Sequence, residues 1–216
     1  MRLNTLPTMR ARSAGLMSLE PMSVRPVLRL ASASPRRRQL LAQIGVPHAV
    51  EAADVDERAR HGETVISYVE RVARAKAEAV WRRLRDLPVL GADTTVVLDG
   101  ASLGKPRDRA HGLSMLAALA GREHQVLTAV ALVSAAGTCC VISASTVRMR
   151  ASTPLERDRY WDTGEPHDKA GGYAIQGLGA IFIESLHGSY SGVMGLPLFE
   201  TAQLLAAVAV PCWNAS

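Results

Sequence analysis

Apolar positions recur along the chain in two periods, one typical of strands and one typical of helices, and glycine or proline separates the segments. The longest helical pattern covers residues 63–84, with apolar side chains every three or four positions. Strand patterns are shorter, and Asp99-Gly100 is typical of a hairpin turn. These signals predict strands at 27–31, near 49, and at 88–98, 126–133, 138–149 and 180–185. They predict helices at 35–44, 63–84, 107–119, 153–164 and from about 197.

The order of these elements favours an α/β fold with a mixed sheet, because strands and helices interleave irregularly and hairpins are included. No repeat, low-complexity run or interdomain linker is visible. A chain of 216 residues with 48% hydrophobic residues can form one domain or two small lobes around one cleft. We therefore predict a single domain over residues 27–216.

The net charge of +5 does not indicate a nucleic-acid partner once the charges are located. Residues 1–26 hold four arginines and one glutamate, so most of the positive excess lies outside the predicted domain. A nucleic-acid module usually concentrates basic charge on its folded part. Few aromatic residues are present to stack on bases, only nine in all.

Residues 1–26 require a separate interpretation. They lack the uninterrupted apolar stretch of a secretory signal, although their Arg and Ser content faintly resembles a transit peptide. Met9, Met17 and Met22 are each a possible true start. We expect either a disordered extension or residues upstream of the true start codon.

Two further patterns favour a cytoplasmic protein without membrane contact. No run of about 18 apolar residues occurs, so we expect no transmembrane helix. The three cysteines, Cys139, Cys140 and Cys212, have neither the spacing of a zinc site nor that of a disulfide framework. This usage is typical of a reducing compartment.

The first candidate site is the segment Ser32-Ala33-Ser34-Pro35-Arg36-Arg37. A predicted strand leads directly into a helix N-terminus, where free backbone N–H groups favour anions. Ser32, Ser34, Arg36 and Arg37 add hydroxyl and guanidinium donors. The alternative is an ordinary capped helix with solvated arginines.

The second candidate is acidic. Asp54, Asp56 and Glu57 form one turn, and Asp93 follows an apolar run that begins at Pro88. Carboxylates from two such places can share Mg²⁺ with substrate phosphate oxygens. A solvated turn is the alternative, and we favour it for Asp54 and Asp56.

Lysine usage gives a third indication. The chain contains only three lysines, Lys76, Lys105 and Lys169, among 25 basic side chains. A chain that otherwise uses arginine keeps lysine where a compact point charge is needed, and three such charges suit a polyphosphate. For Lys76, which lies within a predicted helix, a solvated face is the alternative.

The fourth candidate is the glycine-rich segment 165–179. Four glycines, at positions 171, 172, 177 and 179, imply close backbone approach or positive φ angles. Asp168, Lys169 and Gln176 favour ligand contact over a simple turn. The segment is neither a Walker A loop nor a dinucleotide fingerprint.

Five motifs in this order resemble the Maf family of nucleoside triphosphate pyrophosphatases over about residues 27–208: LASASPRR at 30–37, GADT at 91–94, LGKP at 103–106, the segment 165–179 and GLPL at 195–198. The resemblance implies a mixed α/β fold related to inosine triphosphatases, with a deep cleft between two lobes. It also implies cleavage of a nucleoside triphosphate to the monophosphate and pyrophosphate with Mg²⁺ or Mn²⁺. A homodimer would suit the family, and Maf proteins have been linked to septum inhibition.

Matched position by position, the resemblance gives Asp93 the catalytic acid/base role and places Glu57 near the metal. Phosphate or base contacts are implied for Arg36, Arg37, Lys76 and Lys105. Three positions, Arg36, Thr94 and Gln176, separate a branch that prefers dTTP and UTP from a branch that hydrolyses 7-methyl-GTP. The latter tends to have Trp, Gln and Glu there, so this chain is expected to hydrolyse dTTP and UTP. The alternatives are a 7-methyl-GTP pyrophosphatase and a non-catalytic regulator of division that senses nucleotides.

Overall fold

A computed structural model describes residues 25–213, and these form a seven-stranded sheet with six α-helices. The prediction for residues 1–26 lies almost wholly outside the described residues. The strands are β1 Leu28–Leu30, β2 His48–Val50, β3 Val89–Leu98, β4 Ala101–Leu103, β5 Glu123–Ser134, β6 Gly137–Met149 and β7 Ile183–His187. The helices are α1 Pro35–Gln43, α2 Val65–Leu84, α3 Arg109–Leu119, α4 Pro154–Asp162, α5 Tyr190–Met194 and α6 Leu198–Ala207.

The sheet is mixed, as predicted. Its strand order is β2-β1-β3-β5-β6-β7, and β4 pairs with the far end of β3. The pairs β1–β2 and β1–β3 are parallel, and all other pairs are antiparallel. The hairpin turn at Asp99-Gly100 is confirmed, since both residues have positive φ angles of 52° and 78°.

Two apolar clusters share one face of the β3–β5 pair and form two lobes. The first cluster contains Leu90 and Ala92 together with side chains of α1 and α6. The second contains Val96 and Leu98 together with side chains of α3 and α4. Between the two clusters, this face of the sheet carries polar side chains in place of apolar ones. A cleft opens at that position.

Helix α2 packs on the opposite face of β3 at very short range. A Cβ atom at Gly91 would lie 2.4 Å from the carbonyl oxygen of Ala73 and 2.7 Å from the backbone nitrogen of Ala77. Only glycine on the strand and small residues on the helix permit this approach. The close packing fixes the position of α2 side chains beside β3.

The capping signals predicted at the N-termini of α4 and α1 are confirmed to different extents. Thr153 and Glu156 form the predicted capping box of α4. Ser34 occupies the N-cap position of α1, but its side chain makes no capping hydrogen bond. Instead, the Ser34 backbone N–H donates to the Ser32 hydroxyl at 3.2 Å.

The last predicted strand, at 180–185, is misplaced. Residues Leu178–Phe182 form a 3₁₀ helix, and β7 begins only at Ile183. The backbone N–H of Ala180 donates to the carbonyl oxygen of Gly177, and that of Ile183 donates to the carbonyl oxygen of Ala180, so these groups close helical turns and do not serve a strand ladder.

Among the described residues, none of the helices combines the length and the apolar character that a membrane span requires.

Candidate active site

A cleft of about 540 Å³ lies between the two lobes. Strand β1 pairs with β3 only as far as Leu90, and β4 pairs with it only from Val96 onward. Within residues 25–213, positions 91–95 of β3 therefore have no neighbouring strand on this side, and the cleft opens there. Its lining contains ten of the sequence-predicted residues, namely Ser32, Ser34, Arg36, Arg37, Glu57, Lys76, Thr94, Lys105, Lys169 and Gln176.

Arg37 connects three segments of the cleft wall. Its Nε donates to the carbonyl oxygen of Gly195 at 2.8 Å, and its two terminal nitrogens donate to Ser32 Oγ at 3.1 Å and Thr94 Oγ1 at 3.2 Å. Burial lowers the pKa of this guanidinium, and the nearby charge of Asp93 opposes that effect. Because all three contacts come from different segments, Arg37 is a fixed positive charge rather than a solvated side chain.

Thr94 and Thr128 lie directly opposite each other on β3 and β5 and form the polar interruption between the lobes. Their hydroxyl oxygens are 3.0 Å apart, and the Thr128 hydroxyl reaches the carbonyl oxygen of Gly192 at 2.7 Å. A carbonyl can only accept, so Thr128 donates to Gly192 and Thr94 in turn donates to Thr128. Together with Arg37, this chain of donors ties helix α5 and Gly195 to the floor of the cleft.

At one end of the cleft, Lys76 joins two carboxylates. Its Nζ lies 2.9 Å from Asp93 Oδ1 and 3.1 Å from Glu57 Oε1. Lys76 and Asp93 are 7% and 6% exposed, whereas the Glu57 side chain is half exposed. The alternative of a solvated Lys76 is therefore wrong.

Asp93 follows an apolar run in the sequence, and it lies within the strand predicted over residues 88–98. Asp93 lies in the middle of β3 on the face that α2 covers, and its carboxylate is bonded to Lys76, which lines the cleft. Its neighbour Gly91 explains why a lysine can meet it there, since the helix lies against the strand at that point.

The acidic groups fit a divalent cation only in part. Among residues 25–213, no group of three or more His, Cys, Asp or Glu side chains is arranged to hold a metal ion. Glu57 and Asp93 nevertheless contact the same ammonium group, so their oxygen atoms converge on one small region. Two carboxylates of this kind suit Mg²⁺ when phosphate oxygens complete its coordination.

Asp56 does not share this region. It accepts hydrogen bonds from the backbone and side chain of Arg58, which hold the pKa of its carboxyl far below the usual range. Neither Asp54 nor Asp56 lines the cleft, as the solvated-turn interpretation expects.

The glycine-rich segment forms the other end of the cleft, where Gln176 is exposed. Gly171 and Gly172 have positive φ angles of 69° and 72°. A Cβ atom at Gly177 would lie 2.0 Å from Glu165 Oε2, and one at Gly179 would lie 2.6 Å from the Tyr160 hydroxyl. The predicted close approaches exist, but the groups approached belong to the protein and not to a ligand.

Two charged residues beside this segment also face the cleft. Lys169 is paired with its neighbour Asp168, and both line the cleft. Burial lowers the pKa of Arg36, and the charges of Asp168 and Glu165 oppose that shift.

Several supporting residues were missed in the sequence. Thr128, Glu165 and Tyr160 carry hydrogen bonds that hold the cleft together, but the backbone groups that they bind lie well beyond one helical turn along the chain. The buried pair of His124 Nε2 and Tyr173 Oη, 2.7 Å apart, is a further example. Burial lowers the pKa of His124 to about 4, so this ring is neutral at pH 7.

Comparison with known proteins identifies relatives that share about half of their residues with this chain over most of its length. Proteins named dTTP/UTP pyrophosphatase from Bordetella parapertussis and Bordetella avium are 54% and 53% identical to this chain over 197 residues. Those alignments cover 86% of this chain and 95% and 98% of the two relatives. A protein of the same name from Saccharophagus degradans is 52% identical over 191 residues, covering 87% of this chain and 91% of that protein.

A solved structure described as that of the Staphylococcus aureus Ham1 protein superposes with a TM-score of 0.42 and 17% identity, over 56% of this chain and 71% of that one. A likeness at this level supports no conclusion about the cleft. The family described as Maf-like protein matches residues 27–208, which include every residue of the cleft named above. This chain therefore belongs to the Maf family.

Proposed function

We propose that this protein hydrolyses dTTP and UTP to the nucleoside monophosphate and pyrophosphate. The observation that carries the proposal is one cleft that has paired carboxylates and Lys76 at one end and an exposed Gln176 at the other. A nucleotide needs both kinds of surface, one for its phosphates and one for its base. The relatives named dTTP/UTP pyrophosphatase support the same substrate.

In this proposal, the triphosphate lies along the basic side chains that line the cleft. Arg37 and Lys76 provide fixed cationic charge, and Lys105 and Lys169 line the cleft toward the glycine-rich segment. Ser32 and Ser34, at the start of α1, add hydroxyl groups close to a helix N-terminus. These groups would neutralise the phosphates and the departing pyrophosphate, which is the main contribution proteins make to phosphoryl transfer.

Asp93 acts as the general base in this proposal. A water oxygen forms a bond to the α-phosphorus while the bond from that phosphorus to the bridging oxygen breaks, and pyrophosphate leaves with the electron pair. The water proton passes to the Asp93 carboxylate, which Lys76 holds in a fixed orientation at 2.9 Å. Glu57 and Asp93 are the residues that would hold Mg²⁺ or Mn²⁺, and the cation would supply charge neutralisation at the phosphates.

Base selection falls to Gln176, Arg36 and Thr94. Uracil and thymine present two carbonyl acceptors on either side of one N3–H donor. A carboxamide offers both a donor and an acceptor and can match that edge, whereas a carboxylate can only accept. A cationic 7-methylguanine favours an aromatic face, and a guanidinium such as Arg36 is unsuited to it.

A cytoplasmic location completes the proposal. The three cysteines are free thiols, which agrees with a reducing compartment.

A panel of nucleotides tests the proposal. The purified protein is incubated with Mg²⁺ and dTTP, UTP, dCTP, dGTP or 7-methyl-GTP, and pyrophosphate release is measured. We expect the highest kcat/KM for dTTP and UTP. Equal or faster hydrolysis of 7-methyl-GTP would contradict the proposed base preference. Tight nucleotide binding without any release of pyrophosphate would favour the regulator.

A further inference from the structure

The segment that carries Gln176 into the cleft, residues 174–179, is irregular and pairs with no strand of the described sheet. Hereafter it is called the Gln176 segment. It continues into the 3₁₀ helix Leu178–Phe182, and its carboxamide stands at an exposed position. Something other than strand pairing must therefore hold the carboxamide in one place.

Two side chains outside the cleft hold the segment at both ends. At the start, the backbone N–H of Ala174 donates to the Tyr160 hydroxyl at 3.1 Å. At the end, the N–H groups of Leu178 and Gly179 donate to Glu165 Oε2 and Oε1, both at 2.9 Å. The Tyr160 hydroxyl also donates to Glu165 Oε1 at 2.7 Å, so the two side chains act as one clamp.

The surrounding sequence is shaped to admit this clamp. Gly177 and Gly179 leave the space that Glu165 Oε2 and the Tyr160 hydroxyl occupy. Burial would raise the pKa of Glu165, but hydrogen bonds from Tyr160, Gly179 and Leu178 outweigh it and lower that pKa. The carboxylate is thus ionised at neutral pH, as three donors require.

We propose that Glu165 and Tyr160 are positioning residues for base recognition, which act by fixing the Gln176 carboxamide at the base end of the cleft. The inference rests on the proposed function, since it concerns how the same site selects thymine and uracil. Neither side chain lines the cleft, and both are bound to backbone N–H groups of the Gln176 segment, so we assign neither a contact with the substrate. Their shared effect passes through the three backbone N–H groups that they bind. The charge of Glu165 also acts on Arg36, so Tyr160→Phe, which keeps that charge, isolates the effect of the clamp.

The expected size of the effect follows from hydrogen-bond energetics. A carboxamide pairs with a pyrimidine edge only when its donor and acceptor are both aligned. Losing one aligned hydrogen bond weakens binding of the correct base by about tenfold, with little effect on a base that never used it. Loosening the clamp should therefore raise the KM for dTTP and reduce discrimination against dCTP, whose edge has an amino group and no N3–H.

Two conservative substitutions test the clamp. Glu165→Gln replaces one accepting oxygen by an amino group that faces an N–H donor, and Tyr160→Phe removes the shared hydroxyl. We expect each to lower the ratio of kcat/KM for dTTP to that for dCTP by about tenfold, mainly through KM, while kcat for dTTP stays within about twofold.

Glu156→Gln is the matched control. The Glu156 carboxylate also accepts from a backbone N–H, that of Thr153 at 2.7 Å, and from the Thr153 hydroxyl at 3.0 Å, but it does not line the cleft. We expect this variant to lose thermal stability while its dTTP to dCTP ratio stays unchanged. If Glu165→Gln also keeps the ratio of the unmodified protein, with a loss of stability like that of the control, the inference is overturned.

Hydrogen–deuterium exchange gives a readout that does not depend on turnover. Peptides covering the Gln176 segment should exchange faster in Glu165→Gln and Tyr160→Phe than in the unmodified protein or in Glu156→Gln. Unchanged exchange would show that the clamp does not hold the segment, even if the unmodified protein prefers dTTP as proposed. Conversely, an unmodified protein that does not prefer dTTP overturns the proposed function, and the exchange rates then report on the clamp separately.

Discussion

The two ends of the cleft are built by different means. At the Lys76 end, α2 and β3 lie against each other at Gly91, and regular secondary structure sets the positions of Lys76 and Asp93. At the Gln176 end, an irregular segment is held by side-chain hydrogen bonds to Glu165 and Tyr160. Under the proposed function, the reacting groups are on rigid elements and base selection is on a segment that can be altered without disturbing the sheet.

This difference predicts how each end responds to substitution. A change at the Lys76 end acts on the reaction and, where backbone packing is involved, on stability as well. A change at the Gln176 end acts on the choice of nucleotide. Substitutions at each end separate these two responses.

The largest expected effect is that of Asp93→Asn. The amide retains the shape of the side chain but cannot take a proton, so kcat for dTTP should fall by about 10²-fold or more. Circular dichroism should show an unchanged fold. Asp56→Asn is the control, because Asp56 is paired with Arg58 outside the cleft, and it should retain normal turnover. Near-normal turnover by Asp93→Asn would rule out the assigned role.

Gln176→Glu should affect the other end. A carboxylate would face a carbonyl oxygen of the pyrimidine, which leaves both groups without a donor and should lower kcat/KM for dTTP and UTP by about tenfold to a hundredfold. Thermal stability should not change, because Gln176 is exposed. Gln125→Glu, at an exposed position of β5 outside the cleft, is the matched control. Equal rates for the Gln176 variant and this control would remove Gln176 from base recognition.

Gly91→Ala tests whether the rigid end depends on close packing. The new methyl group would meet backbone atoms of α2 at 2.4 and 2.7 Å, so the helix must shift. We expect a loss of about 1–3 kcal/mol in the free energy of unfolding. We also expect about a tenfold loss in kcat/KM, because Lys76 and Asp93 would be separated. Denaturant unfolding and steady-state rates measure both, and an unchanged midpoint together with unchanged rates would contradict the packing argument.

Deleting residues 1–22 should have the smallest effect. None of the family motifs lies within these residues, and the family match begins at residue 27. We expect kcat/KM for dTTP and the thermal midpoint to stay nearly unchanged. A clear fall in either would show that these residues contribute to the domain.

The sequence was sufficient to predict most of the fold because long elements have clear periods and end signals. Helix α2 and the β5–β6 hairpin follow directly from such patterns. The short helix α5, of five residues, has no periodic signal and was not predicted. The shift of β7 arose because the N–H groups of Ala180 and Ile183 donate to the carbonyl oxygens of Gly177 and Ala180, which closes 3₁₀ turns where a strand was predicted.

The site was predictable to the extent that its residue types are unusual. Because lysine is rare among the basic residues of this chain, the sequence pointed to Lys76 as a candidate. Whether its side chain is buried could not be predicted from the sequence alone. One signal was available, since Lys76 lies between Ala73 and Ala77 on the small-residue face of α2, which packs against Gly91. No such local signal exists for the clamp, because the backbone N–H groups that Glu165 and Tyr160 bind lie 13 or 14 residues further along the chain, in an irregular segment.

The paired strands β3 and β5 have a mechanical consequence. They remain in unbroken register over nine residues, from Val89 opposite Val133 to Val97 opposite Gln125, and so pass through both lobes. A hinge between lobes needs a pliable connection, whereas here separation of the lobes would require bending a hydrogen-bonded ladder. The two lobes on either side of the cleft are thus built on one continuous and rigid pair of strands. Nucleotides should enter a preformed opening, and their association should show a single fast phase without a slow closing step.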